Sequence, residues 1–101
     1  MKDYTDKSIN ANQIIGISTL TGKLYFYEDG YVFKAQSVNG VISNPKIEYK
    51  DIKGVTGRNT LGIIPNGISI KMKDGQILNY VVTRRKEIIE FLTRKTETFG
   101  N

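Results

Sequence analysis

The sequence predicts a mainly β domain of the α+β class that ends in one helix, and three observations support this. Two segments, residues 22–34 and 67–82, each alternate apolar and polar side chains around an Asp-Gly dipeptide. Asp-Gly between alternating strands predicts a β-hairpin, because these residues tolerate the positive φ that a tight turn requires. The third observation is an apolar stripe at helical spacing near the C-terminus, formed by Ile88, Ile89, Phe91 and Leu92.

Length and composition favour a single domain without catalytic or metal chemistry. The chain has 101 residues, with no Cys and no His. Disulfides and thiolate metal sites are therefore excluded, and so are the usual general base at neutral pH and the commonest metal ligand. No recognisable Ser-Lys arrangement is present, and the glycines lack the spacing of a phosphate-binding loop. Two carboxylate pairs are conceivable, but Glu28 and Asp29 belong to a turn, and Glu87 and Glu90 lie on a solvated helix face. We expect no enzyme activity and no cofactor.

The charge of the chain is positive and uneven. The net charge is +5, and residues 46–95 contain eleven Lys and Arg against five Asp and Glu. Such an excess favours phosphate-rich partners, although it also serves solubility. The sequence shows neither the apolar core of a signal peptide nor a stretch long enough to cross a bilayer. We expect a cytoplasmic protein whose contact with a membrane, where it makes one, is peripheral.

The chain divides into an arm, a domain and a tail. Residues 1–13 are predicted to be a flexible N-terminal arm, residues 14–96 the domain, and residues 97–101 a C-terminal tail. Residues 14–20 are predicted to form the first strand, which turns at Thr21-Gly22 because Gly is a strong turn residue.

The sequence of the first Asp-Gly hairpin predicts a strand register. With Asp29-Gly30 as a two-residue loop, Phe26 faces Phe33 and Leu24 faces Ala35. The predicted core face carries apolar and aromatic residues of both strands: Leu24, Phe26, Tyr31 and Phe33.

The middle of the chain alternates between strand and turn signals. The first predicted element is a loop at 37–45, with turns at Asn39-Gly40 and Asn44-Pro45 and a short strand at 41–42. A strand at 47–55, broken at Gly54, and a turn at 57–59 follow. The last is a strand at 61–64 that is stopped by Pro65-Asn66-Gly67.

The second Asp-Gly hairpin is predicted to pair Met72 with Ile77, with Asp74-Gly75 as the turn. The same register pairs two further isoleucines, Ile70 and Ile68, with Asn79 and Val81. These residues form its predicted core face. Thr83 then serves as the N-cap of the final helix.

Arg84, Arg85 and Lys86 form the most suggestive polar cluster. Cations in the first turn oppose the helix dipole, which costs a few tenths of a kcal/mol each. One interpretation is a basic rim, with Lys71 and Lys73, that binds phosphate or an acidic partner. The other is that Arg84 and Arg85 belong to the connector, where the dipole argument does not apply.

The tyrosines point to an alternative function, the binding of nucleic acid. Aromatic residues interleaved with cations can stack on bases, so the alternative is a basic β-barrel that binds nucleic acid. Strand propensity explains the same tyrosines without any ligand. The candidates for stacking are Tyr25, Tyr27, Tyr31, Tyr49 and Tyr80.

The succession of elements resembles the GRAM domain and related bacterial pleckstrin-homology-like (PH-like) domains. The resemblance covers roughly residues 14–95 and rests on the order of common strand and turn patterns. These are the strands of residues 22–34, the segments 47–55 and 61–68, the turn 73–76 and the helix 83–92.

This resemblance implies a bent antiparallel barrel or sandwich of about seven strands, capped by one C-terminal amphipathic helix. It also implies a non-catalytic binding module for membrane lipid or protein. PH domains that bind phosphoinositides usually carry spaced cations on the first two strands. In that region this chain has only Lys23 and Lys34. We therefore expect docking to an acidic protein or loosely to an anionic membrane, with contacts at Lys71, Lys73, Arg84, Arg85 and Lys86.

Overall fold

The chain folds into an antiparallel sheet that bends around its core and is covered by a C-terminal helix. The computed structural model describes residues 2–37, 40–60 and 64–99. The strands are β1 Ser8–Ile15, β2 Ser18–Phe26, β3 Gly30–Ser37, β4 Gly40–Ser43, β5 Ile47–Glu48, β6 Ile52–Thr60, β7 Ile64–Met72 and β8 Ile77–Val82. A short 3-10 helix, Tyr49–Asp51, follows β5, and helix α1 spans Arg85–Phe99.

One continuous sheet contains these strands in the order β4-β3-β2-β1-β8-β7-β6, with β5 paired to β3. Strand β1 links the two halves, since it pairs with both β2 and β8. Helix α1 packs against β6, β7 and the 3-10 helix. The predicted mainly β, bent antiparallel fold with one C-terminal helix is confirmed.

The core lies between the inner face of the sheet and α1. It is rich in aromatic rings: Phe91 of the helix contacts Phe26, Tyr4 and Tyr49 in edge-on geometry at 5.2, 5.7 and 6.4 Å between ring centroids. Such contacts add about 0.5–1.5 kcal/mol each to the burial of the rings. The predicted helical stripe is confirmed, because Ile88, Phe91 and Leu92 are buried.

The predicted N-terminal arm is wrong. Strand β1 begins at Ser8, and Tyr4 is buried in the core. The backbone N–H of Asp6 donates to the carbonyl of Phe26 at 2.9 Å, which fixes the segment to β2. Polar composition suggested a loose arm, but alternate β1 residues face solvent while the others face the core.

The first turn lies earlier than predicted. It falls at Gly16, which has a φ of +59°, and not at Thr21-Gly22. Gly22 instead lies inside β2, where a Cβ would collide with the carbonyl oxygen of Lys34. This glycine serves a close approach between two strands and not a turn.

The first Asp-Gly hairpin has the predicted core face but a different register. Phe26 pairs with Tyr31, and the N–H of Tyr27 donates to the carbonyl of Gly30 at 2.8 Å. The loop is therefore Glu28-Asp29. Relative to the prediction the pairing slips by two residues, which leaves every side chain on its predicted face. Gly30 is required because a Cβ there would collide with the carbonyl of Ile47.

The second Asp-Gly hairpin slips by one residue, and the predicted core face of β8 is wrong. Its loop has three residues, 73–75, with Gly75 at a φ of +97°. Ile68 and Ile70 are buried as predicted, but they pair with Tyr80 and Leu78. A one-residue slip exchanges the faces of a strand, so Ile77 points outward and is 55% exposed.

The middle of the chain differs from the prediction in both directions. The strand predicted at 47–55 is interrupted by the 3-10 helix Tyr49–Asp51, whereas the strands that follow are longer than predicted. Strand β6 continues through Gly54 and Gly57, and β7 contains Pro65-Asn66-Gly67, so the predicted break, turn and stop at these positions are wrong. The β6–β7 ladder accommodates them with two register irregularities. The predicted short strand at 41–42 is part of β4. Asn39 and residues 61–63, where a turn and a strand were predicted, lie outside the described residues.

Helix α1 is longer than predicted at its C-terminus. It runs to Phe99, whose ring lies 6.1 Å from that of Tyr49, so residues 97–99 are not a tail. At the other end the carbonyl of Arg84 accepts the N–H of Ile88 at 3.1 Å, which makes Arg84 and not Thr83 the residue that precedes the helix.

Among the described residues, no helix is long and apolar enough to span a bilayer.

Candidate functional site

The five predicted contact residues do not form one rim. Lys71 lies near the β7–β8 turn, opposite Ile77, whereas Arg84 follows the far end of β8. Six residues of β8 separate the two groups. At about 3.3 Å per residue this is roughly 20 Å. The structure thus replaces the single rim with two separate groups of cations.

Lys71 and Lys73 lie at the turn end of β7. Both side chains are exposed. The backbone N–H of Lys73 donates to the carbonyl of Asp51 at 2.9 Å, which ties the turn to the 3-10 helix. Lys73 also borders a cavity of about 420 Å³ beside Thr96 and Glu97 of α1.

Arg84 belongs to the connector between β8 and α1, as the second interpretation of the cluster predicted. Its φ of +55° is unusual for a residue with a Cβ. It lies beside Tyr4 and Glu87, which share a hydrogen bond of 2.7 Å from the phenol to a carboxylate oxygen. Accepting that bond holds the pKa of Glu87 below its usual value, and the charge of Arg84 acts in the same direction.

Arg85 is half-buried and tied to β6. Its Nη1 donates to the carbonyl of Arg58 at 3.2 Å and to Oδ1 of Asn59 at 3.3 Å. The guanidinium packs against Gly57, where a Cβ would lie 3.0 Å from Nη1. Arg85 therefore has a structural role at the start of α1. Lys86, the next residue, is exposed.

A groove opens where β1, β7 and β8 meet the start of α1. We call it the β8-end groove. Its volume is about 510 Å³, and its polar lining consists of Asn10, Asn12, Asn66, Thr83, Arg84 and Arg85. Two predicted site residues, Arg84 and Arg85, share this groove with other polar residues.

Three of the tyrosines proposed for stacking cannot stack on bases. Tyr31, Tyr49 and Tyr80 are each at most 2% exposed. Burial raises the pKa of Tyr80 to about 12 and also raises the pKa values of Tyr31 and Tyr49. Only Tyr25 and Tyr27 of the five are accessible, so the stacking platform predicted for nucleic acid is not present.

The sequence reasoning missed a segregation of charge along the sheet. All ten acidic residues lie outside β1–β4 and β6–β8: they occupy the N-terminal segment, turns, β5, the 3-10 helix and α1. The same strands contain five cations: Lys23, Lys34, Lys53, Arg58 and Lys71. The signal was available, because these strand sequences contain no Asp or Glu.

Lys23 and Lys34 are the clearest example of this segregation. They are directly opposite one another on β2 and β3, and Nζ of Lys34 lies 4.7 Å from the centroid of the Tyr25 ring. Like charges in directly opposed positions destabilise a sheet. Neither residue was among the predicted contacts, since two cations were judged too few for inositol-phosphate recognition.

Residues 2–37, 40–60 and 64–99 contain no group of three or more acidic side chains that could hold a metal ion.

Comparison with known proteins finds similarity in fold but not in sequence. No protein-family model matches the chain, and no curated protein sequence matches it. Solved structures do match. One is the C-terminal domain of an unknown protein from Leishmania infantum, with a TM-score of 0.74 and 18% identity over 90% of this chain and 82% of that one.

Two further matches contain PH domains. The linker-DH/PH domains of p115-RhoGEF match with a TM-score of 0.73 and 9% identity, covering 90% of this chain and 28% of that one. The Slm1-PH domain, solved in complex with D-myo-inositol-4-phosphate, matches with a TM-score of 0.65 and 8% identity, covering 99% of this chain and all of that one. At such low identities the likeness concerns the fold, and the bent antiparallel sheet with one C-terminal helix is the PH-like fold.

Proposed function

We propose that this chain is a non-catalytic, GRAM-type binding module of the PH-like fold that docks on an anionic membrane surface. The observation that carries the proposal is the segregation of charge. Strands β1–β4 and β6–β8 contain cations and no carboxylates. A surface of one sign attracts a surface of the opposite sign and orients the protein on it.

The Lys23–Lys34 pair supports a role of this sheet in binding. Two lysines directly opposite one another repel, so the pair is unfavourable for folding alone. An anionic surface relieves this repulsion. Lys71, Lys73, Arg84, Arg85 and Lys86 are the further proposed contacts, and the partner is reached from the cytoplasm.

Two other observations favour a lipid surface over an acidic protein. The structural neighbour Slm1-PH is solved with an inositol phosphate, a lipid headgroup fragment. The β1–β2 turn also presents two exposed isoleucines, Ile15 and Ile17, beside the polar sheet. Apolar side chains that flank cations suit the interface of a bilayer, where apolar burial and charge attraction add.

Co-sedimentation with vesicles tests the proposal. The protein is expected to bind vesicles that contain phosphatidylserine, to lose that binding at high salt, and not to bind neutral phosphatidylcholine vesicles. The double variant Lys23→Gln/Lys34→Gln should bind several-fold more weakly and remain folded, because relief of the repulsion offsets the loss of the Lys34–Tyr25 contact.

The matched control removes the same charge elsewhere. Lys50→Gln/Arg94→Gln neutralises two exposed cations on the 3-10 helix and α1, outside the strands. Equal binding by both double variants would show that net charge and not this sheet is responsible. No binding to anionic vesicles would contradict membrane docking and leave an acidic protein as the partner.

A further inference from the structure

The β8-end groove has the composition of an anion-binding site. Its polar lining has two guanidinium groups, three carboxamides and one hydroxyl, and no carboxylate lines it. Two more cations lie on paired strands: Lys23 is opposite Asn10, and Arg58 is opposite Gly67, which itself pairs with Val81 of the lining. At about 510 Å³ the groove is within the range of small-molecule sites.

Arg85 is held in place by contacts that leave some of its N–H donors available. Arg85 uses Nη1 to reach the carbonyl of Arg58 and Oδ1 of Asn59. A guanidinium has five N–H donors, so Nε and Nη2 are not committed by those two bonds. Arg84 is exposed and lies beside Tyr4 and Glu87. A positioned guanidinium loses less side-chain entropy when it binds a ligand.

The chemistry of the lining selects among anions. The planar fork of arginine matches the oxygens of a phosphate, and carboxamide and hydroxyl groups donate to its remaining oxygens. Pro65 and Val81 add apolar surface to the same groove. This combination suits a phosphate that carries an organic group better than inorganic phosphate alone.

We infer that the β8-end groove binds a phosphate ester, with the phosphate between Arg84 and Arg85 and the organic part against Pro65 and Val81. The inference rests on the proposed role as a binding module and deepens it, since it names the group that is recognised. A lipid headgroup and a soluble phosphate ester both present this chemistry.

Titration with D-myo-inositol 4-phosphate, followed by calorimetry and by backbone amide NMR, tests the inference. The largest shifts are expected at residues 10–12 and 83–85. Asn12→Asp places a carboxylate in the groove without changing the size of the side chain, and it should weaken binding by about tenfold. Arg85→Lys keeps the charge but removes the fork, and it should weaken binding by a smaller factor.

The control is Gln76→Glu, which makes the same chemical change at the far end of β8. Gln76 is exposed and five residues from Val81, which is roughly 17 Å along the strand. It should bind like the wild type. Equal weakening by Asn12→Asp and Gln76→Glu, or shifts confined to other residues, would overturn the groove as the site.

Vesicles that contain phosphatidylinositol 4-phosphate separate the two sources and the two proposals. If soluble ester and vesicles both bind and both are weakened by Asn12→Asp, the groove takes a lipid headgroup. If only the soluble ester binds, the groove stands and membrane docking fails. If vesicles bind the wild type and Asn12→Asp equally while the soluble ester does not bind, membrane docking stands and the groove is refuted.

Discussion

The phenolic oxygens of Tyr31 and Tyr80 lie 3.0 Å apart in the core, at a distance that allows one hydroxyl to donate to the other. Their rings meet edge-on, with centroids 6.0 Å apart. Burial raises the pKa of Tyr80 to about 12 and that of Tyr31 well above its ordinary value. The pair joins β3 to β8, which belong to opposite halves of the sheet.

Alkaline pH is therefore expected to destabilise the fold. A tyrosine with a raised pKa stays protonated in the folded state while the unfolded chain ionises above a pH of about 10. The stability that such a group contributes is complete below that pH and is lost as the pH rises toward the folded value. For Tyr80 alone the loss is about 3 kcal/mol by a pH of about 12. Urea unfolding at a series of pH values measures it.

Tyr31→Phe supplies the comparison. It removes one of the ionising groups, so its stability should fall less steeply than that of the wild type above a pH of about 10. At neutral pH it should cost about 1–3 kcal/mol, because Tyr80 loses its partner. Parallel curves for the two proteins would show that the Tyr31 phenol does not contribute to alkaline unfolding.

Two glycines in strands are expected to respond oppositely to alanine. Gly22→Ala places a methyl group against the carbonyl of Lys34, so it should destabilise the protein by more than 2 kcal/mol, on the order of other buried steric clashes. At Gly54 the position of a Cβ is open, and alanine should be neutral or stabilising by about 0.4–1 kcal/mol. Thermal unfolding of both variants tests this contrast, and equal effects would contradict the close approach at Gly22.

The two hairpins show how far the sequence predicts this fold. Alternation placed Leu24, Phe26 and Phe33 on the correct face although the register was two residues off. The second hairpin failed at β8, because Gly75 allowed a three-residue loop that local sequence does not distinguish from a two-residue one. Loop length alone decided which face of β8 was buried.

Longer-range contacts account for the other differences. Gly22 and Gly30 resembled turn residues, but each is needed where another strand passes close by. Polar β1 resembled an arm because one of its two partners, β8, is distant in sequence. For the candidate site, local reasoning found Arg84 and Arg85 but not Asn10, Asn12 and Asn66, which only the sheet order brings beside them.

Helix α1 is expected to depend on Leu92, which is fully buried. Leu92→Ala should cost about 2–5 kcal/mol through lost apolar burial and the cavity that remains. Thr93→Ala changes the adjacent, exposed residue and should alter stability by about 0.5 kcal/mol or less. Chemical unfolding gives both values, and a similar cost for the two variants would contradict the packing of this face of α1.

Lys95 joins the last turns of α1 to the β2–β3 turn through its ammonium group. Its ammonium lies 5.8–5.9 Å from the ring centroids of Tyr49, Phe91 and Phe99, and it donates to the carbonyl of Glu28 at 3.4 Å. The Lys95 side chain is 15% exposed, whereas that of Glu28 is 77% exposed. The rings and not the carboxylate should therefore provide most of the stabilisation.

Lys95→Met keeps the apolar length of the side chain and removes its charge, so it separates the cation–π contribution from packing. It should destabilise the protein by about 1–2 kcal/mol, with little dependence on salt. Glu28→Gln removes only the exposed ion-pair partner and should cost about 0.5 kcal/mol or less. Urea unfolding at low and high salt measures both. A larger cost for Glu28→Gln than for Lys95→Met would assign the contact to the ion pair and contradict the aromatic contribution.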